Sequence, residues 1–471
     1  LDNEKVLRPE QEPDVRKHKE MTLLWATALS ALMALTASGA EPTAHDPQFE
    51  NKKVWADLSG KEGFVGQKWE TLPVYVWAHP GKSALDRAAR KNAIARKRDP
   101  GPDRDLPENW LVNGKPATTM PAGDKEVDLV LPASDAPYVL AAPDWRVRHV
   151  TIERGATLSS HMKVEAIKSI SGNLWVKKGA AADMFSFAVV GPNHAFFRND
   201  NPASSPHGKG QDSGNYLAYW ITIAKPKGSV EWLGDFRMGD ELKFNEGTTI
   251  VGPNSRLQAG PPSTQIIGPE AVLELQSGAL FGKHTGTGRQ ADILVLGELR
   301  AGSPQRPITS DATLGLNGKS ERPASGQVNV EAALAKANVA EGGINKYGGN
   351  SLTAGHTQKD AAPIPGGYSL AVSPAGRLSV HSVDPAKARL RLAWNGAAGR
   401  GSENGADKVV IYLFSDNLAL DGVVFDNFYK GGINLLKPEQ RSKWKNVVFG
   451  EKNEGQPDEL FTYLQAPSPG K

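Results

Sequence analysis

Between residues 194 and 246 the chain gathers side chains of the kinds that handle sugars. Asp200, Asp235, Asp240 and Glu241 are carboxylates suited to acid–base work, and His194 adds an imidazole base. Tyr219, Trp220 and Trp232 offer flat faces for stacking on pyranose rings, while Arg198 and Arg237 offer charge to an anionic chain. Hydrolysis of a polysaccharide needs two carboxyl groups about 5 to 10 Å apart, and elimination needs a base with a cation or metal to neutralise charge. Asp235, Asp240, Glu241, Asp200 and His194 are therefore the catalytic candidates, and Trp220, Tyr219, Trp232, Arg198 and Arg237 the substrate-binding ones. His207 and Asp212 fall in the same stretch. The plainer reading is a polar loop packed down by its tryptophans.

Other constellations carry less. Asp416, Asp421 and Asp426 gather near the C-terminal end, but Asp421 falls 24 positions before Lys445, which suits an interstrand ion pair. No His-x-His or His-Glu-x-x-His spacing occurs, so the sequence implies no catalytic zinc. His284 is a lone loop histidine. No cofactor is expected; loop carboxylates are compatible with calcium, without a motif for it. The chain has no cysteine, which excludes disulfides and thiol chemistry. Gly81-Lys82-Ser83 is not a phosphate loop, because the glycine required five positions earlier is Val76.

The elements that must position these residues are short and apolar. VDLVL at 127 to 131, HVTI at 149 to 152, NLWV at 173 to 176, WITI at 220 to 223, VLEL at 272 to 275 and DILVL at 292 to 296 are each strand-length and bounded by glycine, proline or asparagine. VTIERGA at 150 to 156 aligns with LWVKKGA at 174 to 180, and Gly422 to Phe425 aligns with Asn446 to Phe449, both at an offset of 24. VGPN at 190 to 193 and 251 to 254, with IGPE at 267 to 270, reads as a recurring corner. Hairpins joined by loops of about 2 to 5 residues do not produce a common offset of this size. The expected fold is all-β, a right-handed single-stranded parallel β-helix, in which Val423 lies over Val447 and Phe425 over Phe449.

The organisation expected along the chain is a leader and secretory signal over 1–40 and an N-terminal cap region over 41–124. The cap includes a strand at 74 to 77 and a helix from Ser83 to Lys97, with Ser83 as N-cap and Leu85, Ala89 and Ile94 on one face. Its basic face suits solvent. Coils then fill 125–320 with an insertion at about 183–245. A flexible insertion with a small helix, Glu331 to Glu341, fills 321–366; C-terminal coils run over 367–452, and a tail over 453–471.

Residues 22 to 36 form an uncharged apolar run after Arg16, Lys17 and Lys19, with Ser38 and Ala40 placed for cleavage after Ala40. This implies a secreted, periplasmic or cell-surface protein without a membrane span after cleavage. Lys plus Arg total 55 against 52 for Asp plus Glu, which gives no basic footprint for nucleic acid.

The stretch Gly297 to Gly318, GELRAGSPQRPITSDATLGLNG, resembles the closing segment of the eight-glycine extracellular domain of secreted and cell-surface β-helix proteins, among them hyaluronan-depolymerising ones. Trp110, Pro121, Gly123, Asp124, Val127 to Leu131 and VRHVTIERGATL at 147 to 158 resemble its opening. More widely the chain resembles pectin-lyase-like right-handed β-helices. The Asn-Thr-Asp, Gly-His-Gly and Arg-Ile-Lys set of polygalacturonases is missing, as is the Arg-x-Pro-x-x-Arg of pectate lyases. The resemblance implies binding of an extracellular polysaccharide, extended to cleavage by a lyase or glycoside hydrolase mechanism. The alternative is a non-catalytic cell-surface adhesion or scaffold module; oligomeric state is unspecified by sequence.

Overall fold

Val147, Val150 and Leu158 belong to three rows of apolar side chains built by parallel pairing from strand to strand. In the first row parallel pairing carries Val127 to Val147, Ile170, Val189, Ile223, Phe244, Ile267, Val295, Val372, Leu413, Leu435 and finally Tyr463. A second row takes Leu129 to Val150, Leu174, Phe197, Trp232, Val251, Leu275, Ala301 and Val380. The third takes Leu140 to Leu158 and Ala182, and resumes from Phe236 through Leu257, Phe281, Leu314, Leu392 and Phe425 to Phe449. The chain visits the rows in the same cyclic order. Nearly all of these side chains join one continuous core.

This is a computed structural model of the 471-residue chain. It describes residues 72–85, 87–99, 101–160, 167–202, 216–259, 265–283, 293–316, 369–394, 408–415 and 418–463, all within the compact unit Pro42–Lys471. The chain is mostly β, and its strands join in a large, predominantly parallel sheet. No helix among the described residues is long and apolar enough to cross a membrane.

Both 24-residue offsets correspond to direct pairing. Val150 pairs with Leu174, Phe425 with Phe449, and Asp421 bridges Lys445. Stacking like on like at a strand spacing of about 4.8 Å explains why apolar residues recur at these places. Steps between rungs vary because loops of unequal length leave the corners. The longest step in the first row, from Val295 to Val372, contains residues 317–368, so the insertion expected over 321–366 and its helix lie outside the described residues. So do the signal and Trp55 and Trp69.

Four expectations change. The stretch expected as an insertion at about 183–245 is built of sheet strands, Ala181–Val190, His194–Asn199, Tyr216–Leu233 and the first part of Asp235–Val251, whose alternating apolar residues enter the core. The corner motifs mark two different places. VGPN at 190 shares a corner with IGPE at 267, through Val190, Ala224, Glu246 and Glu270, whereas VGPN at 251 follows the second row. The helix spans only Arg87–Ala95. Ser83 does not cap it: its Oγ accepts a hydrogen bond from Val139 N, Ala84 pairs with Leu140, and Ile94 is exposed. Sheet pairing has taken the residues that would have formed the first turn. Finally, the tail adds one more rung, Phe461–Tyr463, parallel to Phe428–Leu435.

At the N-terminal end Val74–Trp77 pairs parallel with Glu126–Leu131 and antiparallel with Trp110–Val112, which pairs antiparallel with Lys115–Pro116. The change of direction stops the parallel stack. Trp77, Trp110, Trp145 and Tyr75 pack ring on ring over the core, and Trp110 Nε1 donates to Arg104 O at 2.7 Å. An open edge that would template aggregation is thereby covered.

Candidate functional site

Strand Tyr216–Leu233 is the element on which the site is built. Its first half lies against Ala181–Val190 and its second half against His194–Asn199. Because alternate residues face opposite sides, Val230 and Trp232 enter the core while Ser229 and Glu231 face outward. In parallel register His194 lies opposite Ser229, and His194 Nδ1 and Ser229 Oγ share a hydrogen bond. Gly228 permits this approach, since a Cβ there would stand 2.6 Å from Pro192 C and 2.8 Å from Asn193 O. Lys227, just before it, holds a left-handed φ of 59°, an uncommon conformation for a residue with a side chain.

Glu231 is withdrawn from water although it faces outward. Arg306 clamps it, with one guanidinium nitrogen donating to Oε2 at 3.1 Å and the other to Oε1 at 2.9 Å. Arg306 comes from the loop between Glu298–Ala301 and Ala312–Leu316. Gly302 turns that loop with φ 64°, and buried Ile308 pins it by bridging Ser382. His194 Nε2 stands 3.9 Å from Glu231 Oε2. The His194 pKa is lowered to about 4, chiefly by burial, with Glu231 opposing the shift and Arg306 and Lys225 adding to it. Lys225 is fully buried; its Nζ donates to Ser171 O at 3.1 Å and Val190 O at 2.8 Å, and burial lowers its pKa to about 7 against the pull of Glu126.

Two neighbouring arrays use the same outward positions. Trp175 is flanked by Arg198 at 4.9 Å and Lys177 at 4.7 Å from its ring centre; its Nε1 donates to Asp200 Oδ2 at 2.6 Å, and Arg198 Nε donates to Oδ1 at 2.6 Å. Further along the stack, Glu274 receives Arg300 Nε at 2.9 Å, and Glu298 accepts from Ser379 Oγ at 2.8 Å.

The first half of Tyr216–Leu233 carries an aromatic group. Phe185 meets Trp220 edge-on at 4.6 Å and Tyr219 at 6.1 Å, and Tyr219 meets Tyr216 at 5.7 Å; all four rings are half-buried. Gly239 seats the two tyrosines, since a Cβ there would be 2.3 Å from Tyr216 Oη and 2.8 Å from the Tyr219 ring. Asp183, the next outward position along the strand from Phe185, has its pKa raised by burial.

The expected site residues therefore divide. Trp220 and Tyr219 come together, as do Arg198 and Asp200, and His194 joins a cluster with Ser229, Glu231 and Arg306. Trp232 is wholly buried, 4.7 Å from Phe197 and 5.0 Å from Phe236, so it packs the core and presents no face to a sugar. Asp235 and Arg237 are also buried. Asp240 and Glu241 belong to Asp235–Val251, with Glu241 in register beside Trp220; their side chains, like His207 and Asp212, lie outside the described residues. Asp421 accepts from Asn446 Nδ2 at 2.6 Å, and Asp426 lies 3.4 Å from Arg391, while Asp416 is outside the described residues. Sequence reasoning missed Phe185, Ser229, Glu231, Arg306 and Trp175.

No family model, curated protein or solved structure matches the chain. The site must therefore be read from its own chemistry. Among the described residues no three His, Asp or Glu side chains converge as metal ligands. The outward face offers flat rings, buried carboxylates neutralised by arginine, and an uncharged imidazole against a hydroxyl.

Proposed function

We propose that the chain is an exported protein whose main body is a right-handed parallel β-helix of the pectin-lyase-like type, capped at its N-terminal end, and that it binds an extracellular polysaccharide. The observation that carries this reading is the outward group Phe185, Tyr219 and Trp220, three half-buried rings in contact with one another, of which Tyr219 is seated over Gly239. Such rings bury sugar C–H faces while losing little side-chain entropy. Trp175 adds a further ring, with Arg198 and Lys177 beside it and each cation balanced by a carboxylate, Asp200 and Glu153. The cyclic order of the three rows supports the helical reading, and the right-handed sense follows from the rule for parallel crossovers.

Binding is the part of the reading with the stronger support. Glu231 and Glu274 are held by Arg306 and Arg300, an arrangement that stabilises charge without supplying the proton that glycoside hydrolysis needs. The second reading, a scaffold module, draws on the same outward ion pairs, which brace a flat face. A panel of acidic and neutral glycans displayed on an array distinguishes the two. The proposal expects retention on at least one acidic glycan and weaker retention for Trp220→Ala; no retention, or unchanged retention by that variant, favours the scaffold.

A further inference from the structure

We infer that Ser229 and His194 form a nucleophile–base pair that hydrolyses acyl esters, a site separate from the aromatic group and independent of the glycan-binding reading. Ser229 and His194 face each other across adjacent parallel strands with Oγ in hydrogen-bond contact with Nδ1. That contact is the one a serine nucleophile needs with its base. On the far side of the ring Nε2 faces Glu231 Oε2 at 3.9 Å. Nucleophile, base and carboxylate thus lie in line, with the carboxylate beyond hydrogen-bond reach of Nε2 and acting on the ring through its charge, and with Ser229 and Glu231 two residues apart on one strand face.

The surroundings hold this order. Arg306 fixes both Glu231 oxygens, so the carboxylate cannot swing away from the ring. The backbone before Ser229 holds Lys227 in the left-handed region, and such strain gathers at functional sites; Gly228 leaves no room for a side chain beside Pro192 and Asn193. Both catalytic side chains keep partial access to solvent, His194 at 19% and Ser229 in the half-buried range. Burial keeps His194 neutral above about pH 4, so its ring is free to accept a proton.

The chemistry closes without a co-reactant other than water. Ser229 Oγ adds to the ester carbonyl carbon as its proton passes to His194 Nδ1. The bond from carbon to the alcohol oxygen breaks, and the departing alkoxide takes that proton. Water then adds to the acyl-serine and gives a proton to Nδ1. The Oγ–C bond breaks, Oγ regains the proton, and a carboxylic acid leaves. Esters suit this pair better than amides, because an alkoxide is the better leaving group and a base of low pKa activates the serine hydroxyl only weakly. Glu231 and Arg306 act as positioning residues.

The test uses the full chain and a fluorophosphonate probe, which phosphonylates activated serines, with the adduct located by peptide mass spectrometry. The account expects an adduct on Ser229 in native protein and none in urea-denatured protein. Labelling should rise with pH through about 4 and then level off. His194→Ala should slow it by about 100-fold or more, the lower range for a lost general base. Glu231→Gln removes the charge that opposes the lowering of His194, so the midpoint should move to lower pH. Hydrolysis of 4-nitrophenyl acetate should fall in parallel in Ser229→Ala, with circular dichroism confirming the fold. Absence of an adduct on Ser229 in native protein, or labelling that persists in His194→Ala, overturns the assignment.

Discussion

The ring of Phe425 lies stacked on that of Phe449, with centroids 5.7 Å apart and planes 17° apart. Twenty-four residues separate them in sequence and one strand spacing separates them in space. The relation is the unit from which the molecule is assembled, because every outward group described above owes its neighbours to the same parallel register. Phe425 is fully buried and also touches Phe428 and Trp444. Phe425→Ala should cost about 3–5 kcal/mol, as for other large-to-small changes in cores. Val448→Ala, at a position 36% exposed, should cost less than about 1 kcal/mol. Urea unfolding of the two variants checks the contrast.

The Glu231–Arg306 clamp joins positions 75 residues apart. Arg306→Met leaves Glu231 buried without its cation and should destabilise by about 3–5 kcal/mol. Replacing both, with Glu231→Leu and Arg306→Met, should cost less than Arg306→Met alone, because no charge is then stranded. A double-mutant cycle by urea unfolding reads the coupling directly; additive costs would show that the two side chains act apart.

Lys225 and His194 set a pH dependence of stability. Both are bases whose folded pKa lies below the unfolded value, about 7 against 10.5 for Lys225 and about 4 against 6.5 for His194. Within each interval the unfolded chain binds more protons, so stability rises with pH across it. Lys225→Met should flatten the rise between about pH 7 and 10.5, and His194→Gln the rise between about pH 4 and 6.5. Unfolding curves across pH test this, and an unchanged slope in either variant refutes that assignment.

Gly239 is a seat for rings. Gly239→Ala should push Tyr216 and Tyr219 off the strand and weaken glycan binding several-fold, comparable with the loss of about 0.5–1.5 kcal/mol expected when one ring contact is removed. Isothermal titration with the glycan retained on the array measures it. Full affinity in this variant would show that the rings do not serve the ligand.

Parts of this architecture were legible because some rungs are free of insertions. Val150 with Leu174, and Phe425 with Phe449, lie on successive rungs joined by short corners, so the offset survives in the sequence. Val295 and Val372 are equally good neighbours, but the number of residues between them in sequence erases any period. The misreading of 183–245 as an insertion has the same origin: its strands are long and carry register shifts, so no 24-residue echo marks them. Trp232 reads as a binding residue in the sequence because an aromatic in a polar stretch gives no sign of its side. The alternation Ser229, Val230, Glu231, Trp232 does carry that sign once the stretch is known to be a strand. Arg306 had no local signal, since its partner lies several rungs away. Ser229 became visible only when register set it against His194.

The account rests on parallel rungs stacked in a fixed register. A crystal structure of the full chain tests this most directly. The account predicts Phe425 beside Phe449 and His194 opposite Ser229, all on parallel strands. Antiparallel strands at either place, or these pairs found apart, would contradict it.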